Sequence, residues 1–235
     1  MSAPRPILIH GSGGGHRVWE PLAARLAGAV ALELPGHPDG EALRDVGDIG
    51  RALAEALERI PAPRALVGHS LGGAAALEVA RTRPELVDGL VVVASGARLP
   101  VPEHAMARLR GDFAAERERL MAGFADDPDG PGARAARDAI DACGPGVLEA
   151  DYAACRTVDL RGRLAAVRVP VLVVAGADDP LTPPWLSEEL ARELPHAHMV
   201  VIPGARHLPM ADVPATLAGL VAAYLARLEL TLMDA

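Results

Sequence analysis

Arg64-Ala-Leu-Val67 runs directly into Gly68-His69-Ser70-Leu71-Gly72-Gly73, and residues 74–83 follow as a helix-patterned stretch of small side chains. A short apolar strand, a glycine-flanked turn and a close-packing helix form one supersecondary unit. The glycines two before and two after Ser70 leave room for a sharp turn. That turn holds the serine in a strained backbone and projects its hydroxyl above the sheet. The helix begins directly behind it, so the Leu71 N–H turns positive potential toward the space before the hydroxyl. The plainer reading of Ser70 is an ordinary helix N-cap.

Outward from this unit, apolar runs alternate with longer amphipathic stretches. Residues 6–10, 29–34, 89–94, 169–175 and 199–202 read as strands. Residues 48–59 carry Ile49, Leu53, Ala56 and Leu57 at helical spacing, with Ile60 continuing the pattern just beyond, and 214–230 read as a closing helix. The rhythm predicts an α/β fold with a mostly parallel, doubly wound sheet. Residues 98–163 differ: they are rich in Ala, Arg and Glu, have no strand-like run, and break at Gly/Pro clusters near 126–132 and 144–146. Two or three helices are expected there. They would form a lid over the C-terminal edge of the sheet, where open α/β sheets bind ligands. The expected organisation is therefore a core of residues 1–97 and 164–235 with a helical lid, 98–163, inserted between its halves.

Composition excludes several functions. The 235 residues carry a net charge of −8, which disfavours nucleic acid and anionic membrane surfaces as partners. Lys, Asn and Gln are absent, so every basic side chain is Arg or His. Cys143 and Cys155 make no disulfide framework, and the His196/His198 pair has no third metal ligand beside it. Residues 11–15 fit neither GxxxxGK[ST] nor a dinucleotide fingerprint, so no cofactor is expected. The N-terminus has no secretory pattern, and the apolar runs are strand length, which predicts a cytoplasmic chain acting on a small molecule. Oligomeric state is not legible.

A serine hydroxyl needs a base to take its proton and a carboxylate to orient that base. Gly176-Ala-Asp-Asp179-Pro-Leu-Thr-Pro183 ends one strand, and Pro203-Gly-Ala-Arg-His207 ends the last. Ser, Asp and His in that order, each at the C-terminal end of a strand, are what a doubly wound sheet needs to bring them together.

At this point the chain resembles the α/β-hydrolase superfamily, in particular its small lidded serine esterase and lipase-like members. The resemblance covers nearly the whole chain. His10-Gly11 is similar to the family's oxyanion-loop HG, Trp19 to an aromatic that often follows it, and Glu33-Leu-Pro-Gly-His37 to its D-x-P-G-H segment. It implies Ser70 as nucleophile, His207 as base and Asp179 as orienting acid. The G-x-x-D-x-x-x-P spacing selects Asp179 over Asp178. The oxyanion donors implied are the Leu71 N–H and that of Ser12, with Gly13 as the alternative. Departures are Arg206 where the family usually has Gly, Glu33 for Asp, and Pro38-Asp-Gly40 after the P-G-H. Arg206 is expected to narrow the pocket or pair with Asp178.

The activity implied is hydrolysis of a small to medium uncharged carboxylic ester. The same triad also serves C–C bond hydrolysis or a lyase step of the menaquinone-pathway type in this family. A ligand-sensing receptor on the same fold is the alternative from a different class. His69, Trp185, Phe113 and Phe124 are the expected substrate contacts, His69 with the plainer alternative of packing beside the turn. Phe113, Phe124, Met106, Met121 and Tyr152 suit the underside of a lid or its own core equally. His10 is expected to brace the oxyanion loop, and His16, His37 and His104 to sit at the surface or pocket rim.

Overall fold

A computed structural model describes residues 3–233 of the chain. Six strands, β1 (Arg5–Ile9), β2 (Val30–Leu32), β3 (Arg64–His69), β4 (Gly89–Val93), β5 (Val171–Gly176) and β6 (Ala197–Ile202), form one sheet in the order β2-β1-β3-β4-β5-β6. Every pairing is parallel. β1, β3, β4 and β5 are buried almost end to end, as strands of a sheet covered on both faces must be.

Period-two alternation sorts their side chains into two cores. Ile7, Ile9, Leu66, Leu90, Val92, Val171 and Val173 point to one face, where α2 (Val46–Leu57), α3 (Leu71–Thr82) and α7 (Pro184–Glu193) cover them. Leu8, Val67, Val91, Val93, Leu172 and Val174 point to the other, against α1 (Glu20–Ala23) and α9 (Pro214–Met233). Among the described residues α9 is long and apolar enough to cross a membrane, with a mean hydropathy of 1.4. Its Leu217, Ala218 and Val221 are buried in this second core.

Residues 98–163 contain no strand and fold as α4 (Glu103–Gly111), α5 (Phe113–Phe124) and α6 (Pro131–Thr157). The break expected at 144–146 is a kink inside α6, where Gly144 takes φ 71° and Pro145 supplies no N–H. The short helix α8 (Pro209–Asp212) follows β6. One boundary moved, and one helix, α7, was not expected. Asp45 accepts the N–H groups of Gly47 and Asp48 and so starts α2 two residues earlier than apolar spacing indicates. α7 opens on Pro184 at its first turn, where proline's missing N–H costs nothing.

Candidate active site

Ser70 sits between β3 and α3 with φ 50° and ψ −119°, a conformation that costs about 1–3 kcal/mol outside glycine. Surrounding bonds hold it there. Its N–H donates to Val93 O (3.0 Å), and its carbonyl accepts from Gly73 N (2.9 Å), Ala74 N (3.1 Å) and the buried Ser95 hydroxyl (2.7 Å). The flanking glycines are required by contact. A Cβ on Gly68 would lie 2.5 Å from Gly72 O, and one on Gly72 would lie 2.2 Å from His10 O.

Asp179 and His207 follow the C-terminal ends of β5 and β6. His207 Nδ1 lies 2.8 Å from Asp179 Oδ2, with both side chains nearly inaccessible to solvent. The carboxylate therefore assigns the proton to Nδ1 and leaves Nε2 with its lone pair. Asp179 Oδ1 accepts the N–H groups of Leu181 (2.8 Å) and Thr182 (2.9 Å). The Thr182 hydroxyl stands 2.7 Å from Asp179 Oδ2, 3.1 Å from His207 Nδ1 and 2.9 Å from Ala94 O. Burial opposes ionisation of Asp179, but the His207 ring and the Thr182 donors prevail and hold its carboxyl below the usual value. Asp178, the alternative, is exposed.

His69 packs its ring 4.7 Å from that of His207. Burial and the neighbouring imidazole push it down to about 3, so it is neutral and its Nε2–H donates to His207 O at 2.8 Å. Phe124, at the end of α5, also stacks on His207, with ring centres 5.7 Å apart, and its carbonyl accepts the Leu208 N–H.

The turn after β1 faces Ser70. A Cβ on Gly11 would come 2.9 Å from that of Ser70, so this approach needs glycine. His10, fully buried, bonds Gly11 O through Nδ1 (2.9 Å) and meets Leu34 N and Glu33 Oε2 through Nε2. Glu33 also accepts from His16; burial resists its charge, yet the two histidines hold it at about 2. The N–H of Gly13 donates to Asp151 Oδ2 at 2.7 Å, whereas those of Ser12 and Leu71 have no protein acceptor among the described residues. Of the two alternatives at this turn, Ser12 is the one with a free donor.

Ser12, Ser70 and His207 line a common cavity of about 200 Å³. Its walls are largely apolar, including Leu99, Val101, Leu120 and Leu181, and Arg119 stands at one side. Arg119 is bonded to the fully buried Glu116, which also accepts from Arg108 and Tyr152.

Of the expected substrate contacts, His69 and Phe124 line this cavity. Trp185 does not: it is exposed on α7 beneath the Arg98 guanidinium, 5.1 Å from the ring centre. Phe113, at the start of α5, is half-buried among the helices, where Met106 and Met121 also lie. Arg206 neither lines the cavity nor pairs with Asp178; its N–H donates to Asp212. His37 is no surface residue but lies buried against Asp151. Ser95, Asp151 and His37 escaped sequence reasoning because their partners are remote in the chain, and Thr182 escaped it as well. Thr182 alone had a local signal, three residues beyond Asp179. Among the described residues no group of three or more His, Cys, Asp or Glu is arranged to hold a metal.

A profile described as the alpha/beta hydrolase family matches residues 7–220. The pimeloyl-[acyl-carrier protein] methyl ester esterase of Neisseria meningitidis serogroup B (strain MC58) is 34% identical over 221 residues, covering 86% of this chain and 85% of that protein. The esterase of the same name from Aromatoleum aromaticum is 30% identical, covering 94% and 98%. A solved thermophilic esterase superposes with a TM-score of 0.85 at 28% identity, covering 95% of this chain and 90% of its own. An esterase from Exiguobacterium antarcticum shares the fold at a TM-score of 0.88, covering 96% of this chain and 92% of its own at 17% identity. The chain thus belongs to the alpha/beta hydrolase family and is a serine hydrolase of that fold.

Proposed function

We propose that the chain hydrolyses small to medium, uncharged carboxylic esters through an acyl-enzyme on Ser70. His207 Nε2 takes the Ser70 proton as Oγ attacks the ester carbonyl, and Asp179 holds the imidazole in the required tautomer and stabilises its charge. The carbonyl oxygen gains negative charge against the Ser12 and Leu71 N–H groups. His207 returns the proton to the leaving alcohol. A water deprotonated by the same nitrogen then attacks the acyl-enzyme, and the acid leaves as Ser70 recovers its proton.

The observation that carries this is the buried 2.8 Å His207–Asp179 pair on the cavity that contains Ser70, with two unclaimed N–H groups beside it. The size of the cavity and its apolar walls support an uncharged acyl group of modest length, and Glu116 pairs with Arg119 on its wall. Helices α4–α6 supply much of that wall and act in this scheme as the lid. The methyl ester cleaved by the Neisseria and Aromatoleum relatives is an ester of the same chemical class.

Turnover of a p-nitrophenyl ester chain-length series, together with methyl esters of medium-chain diacids, tests the proposal. Wild type is expected to show a preferred chain length, and Ser70→Ala and His207→Ala to abolish turnover. Tight binding without turnover by the wild type would replace a hydrolase with a receptor.

A further inference from the structure

The turn that carries the Ser12 N–H is held from outside the core. Helix α6 reaches it at three places: Cys155 Sγ lies 3.5 Å from Ser12 Oγ, Asp151 Oδ2 accepts the Gly13 N–H at 2.7 Å, and Cys143 Sγ approaches Gly14 O at 3.7 Å. Gly13 takes φ +60°, and a Cβ there would come within 3.1 Å of Ile140 and Leu148, again from α6. Burial pushes both thiols up to about 12, so each is a neutral neighbour of the turn.

Asp151 is the charged member of this clasp, and it is 2% exposed. The same Oδ2 that accepts from Gly13 lies 3.0 Å from His37 Nε2. His37 Nδ1 faces the Pro35 carbonyl at 3.2 Å. Both ring nitrogens therefore face acceptors, an arrangement satisfied only by the imidazolium, whose two N–H groups both donate. Burial disfavours that charge, and the Asp151 carboxylate outweighs it and raises the His37 pKa.

We propose that Asp151 and His37 are a positioning pair for the oxyanion turn. Asp151 claims the Gly13 N–H and thereby fixes which amide of the turn faces Ser70. An unpaired carboxylate here would oppose the negative charge developing nearby, and the His37 imidazolium cancels it. The two effects act together: the bond sets geometry, and the pair keeps the local field neutral. Neither residue touches substrate, and both act through the turn. This rests on the esterase reading above.

Removing one oxyanion donor outright costs about 10²–10³ in kcat, so a turn left free to rotate is expected to cost about 10–100-fold. Asp151→Ala, Asp151→Asn, His37→Gln and the His37→Gln/Asp151→Asn double variant are compared with wild type on the preferred ester. A trifluoromethyl ketone of the same acyl chain reports affinity for the tetrahedral state. Asp151→Ala should lower kcat about 10–100-fold with KM within about threefold, and weaken the ketone by a similar factor. Asp151→Asn, which keeps one acceptor for Gly13, should lose less. His37→Gln leaves the carboxylate uncompensated and should lower kcat, and adding Asp151→Asn should restore part of it.

Unchanged kcat and ketone affinity in folded Asp151→Ala, or a rise in KM alone, would overturn the proposal. If Asp151→Ala does not fold, failure of Asp151→Asn to rescue His37→Gln would overturn it. Covalent labelling of wild-type Ser70 by a fluorophosphonate separates the two readings. Without labelling the esterase reading fails; with labelling, the variants judge the pair alone.

Discussion

The strand–turn–helix of residues 64–82 and the helical segment of residues 98–163 meet at the same cavity, yet they contribute in opposite ways. The first is rigid by contact. Gly68 and Gly72 admit no Cβ, Ser70 is fixed in a strained backbone, and every group that holds it lies within the sheet or the first turn of α3 or just beyond β4. The second adds no strand; it packs apolar side chains such as Met121, Ile140 and Leu148 into the second core and adds polar ties, such as Asp151 to Gly13 and Phe124 O to Leu208. The glycine demands of the turn are marked by their spacing about Ser70, although the atoms nearest Gly72 belong to Ile9 and His10. Polar ties across 138 residues carry no such mark.

Variants break or sharpen this contrast in order of size. The largest effect belongs to Ser70→Ala and His207→Ala, each expected to lower kcat by about 10⁴-fold or more; Ser70→Ala should leave the melting temperature near that of wild type, while His207→Ala, which strips the buried Asp179 of its partner, should lower it. Steady-state kinetics beside a thermal melt checks both halves of that statement. Next is Gly72→Ala. Its methyl would meet two backbone carbonyls, those of Ile9 and His10, which have no free direction in which to yield. A loss of about 3 kcal/mol in urea unfolding is expected, against no loss or a small gain for a glycine-to-alanine change at Gly146 on α6, which has open space around it and where alanine is the better helix former.

The third concerns pH. The His37 pKa is raised in the folded chain, so its stabilising contribution is fully present below its ordinary value of 6.5 and is lost as pH rises through the folded value. Its neighbours are His10, whose ring lies 4.7 Å away, Glu33 and Asp151. The stability gap between wild type and His37→Gln should therefore be widest in mildly acidic buffer and narrow toward alkaline pH. A gap that widens instead would show that the histidine is neutral in the fold. The smallest expected effect is Trp185→Ala. An exposed ring stacked under Arg98 should change stability by less than about 0.5 kcal/mol and leave kcat/KM for the preferred ester unaltered.

The sheet was legible because its strands are short apolar runs, each bounded by Gly, Pro or charge. The closing helix was legible from its apolar face. The placement of Ser70, Asp179 and His207 at one edge of the sheet was legible because each follows a strand and the parallel order brings them together. His37 looked like a rim residue because nothing near it in sequence predicts a buried carboxylate; its partner is 114 residues away on the far half of a kinked helix. Trp185 follows Pro183 and Pro184, which mark the start of α7, but the outward turn of its ring under Arg98 depends on a residue remote in the chain. Ser95, whose hydroxyl holds the Ser70 carbonyl, follows β4 with nothing beside it to mark the role.

The most direct measurement is peptide mapping after reaction with a fluorophosphonate, run on wild type and His207→Ala. The proposed mechanism predicts one label per chain, on the peptide containing Ser70, formed much more slowly without the histidine. A label on another residue, such as Cys155, or none at all while ester turnover persists, would contradict it.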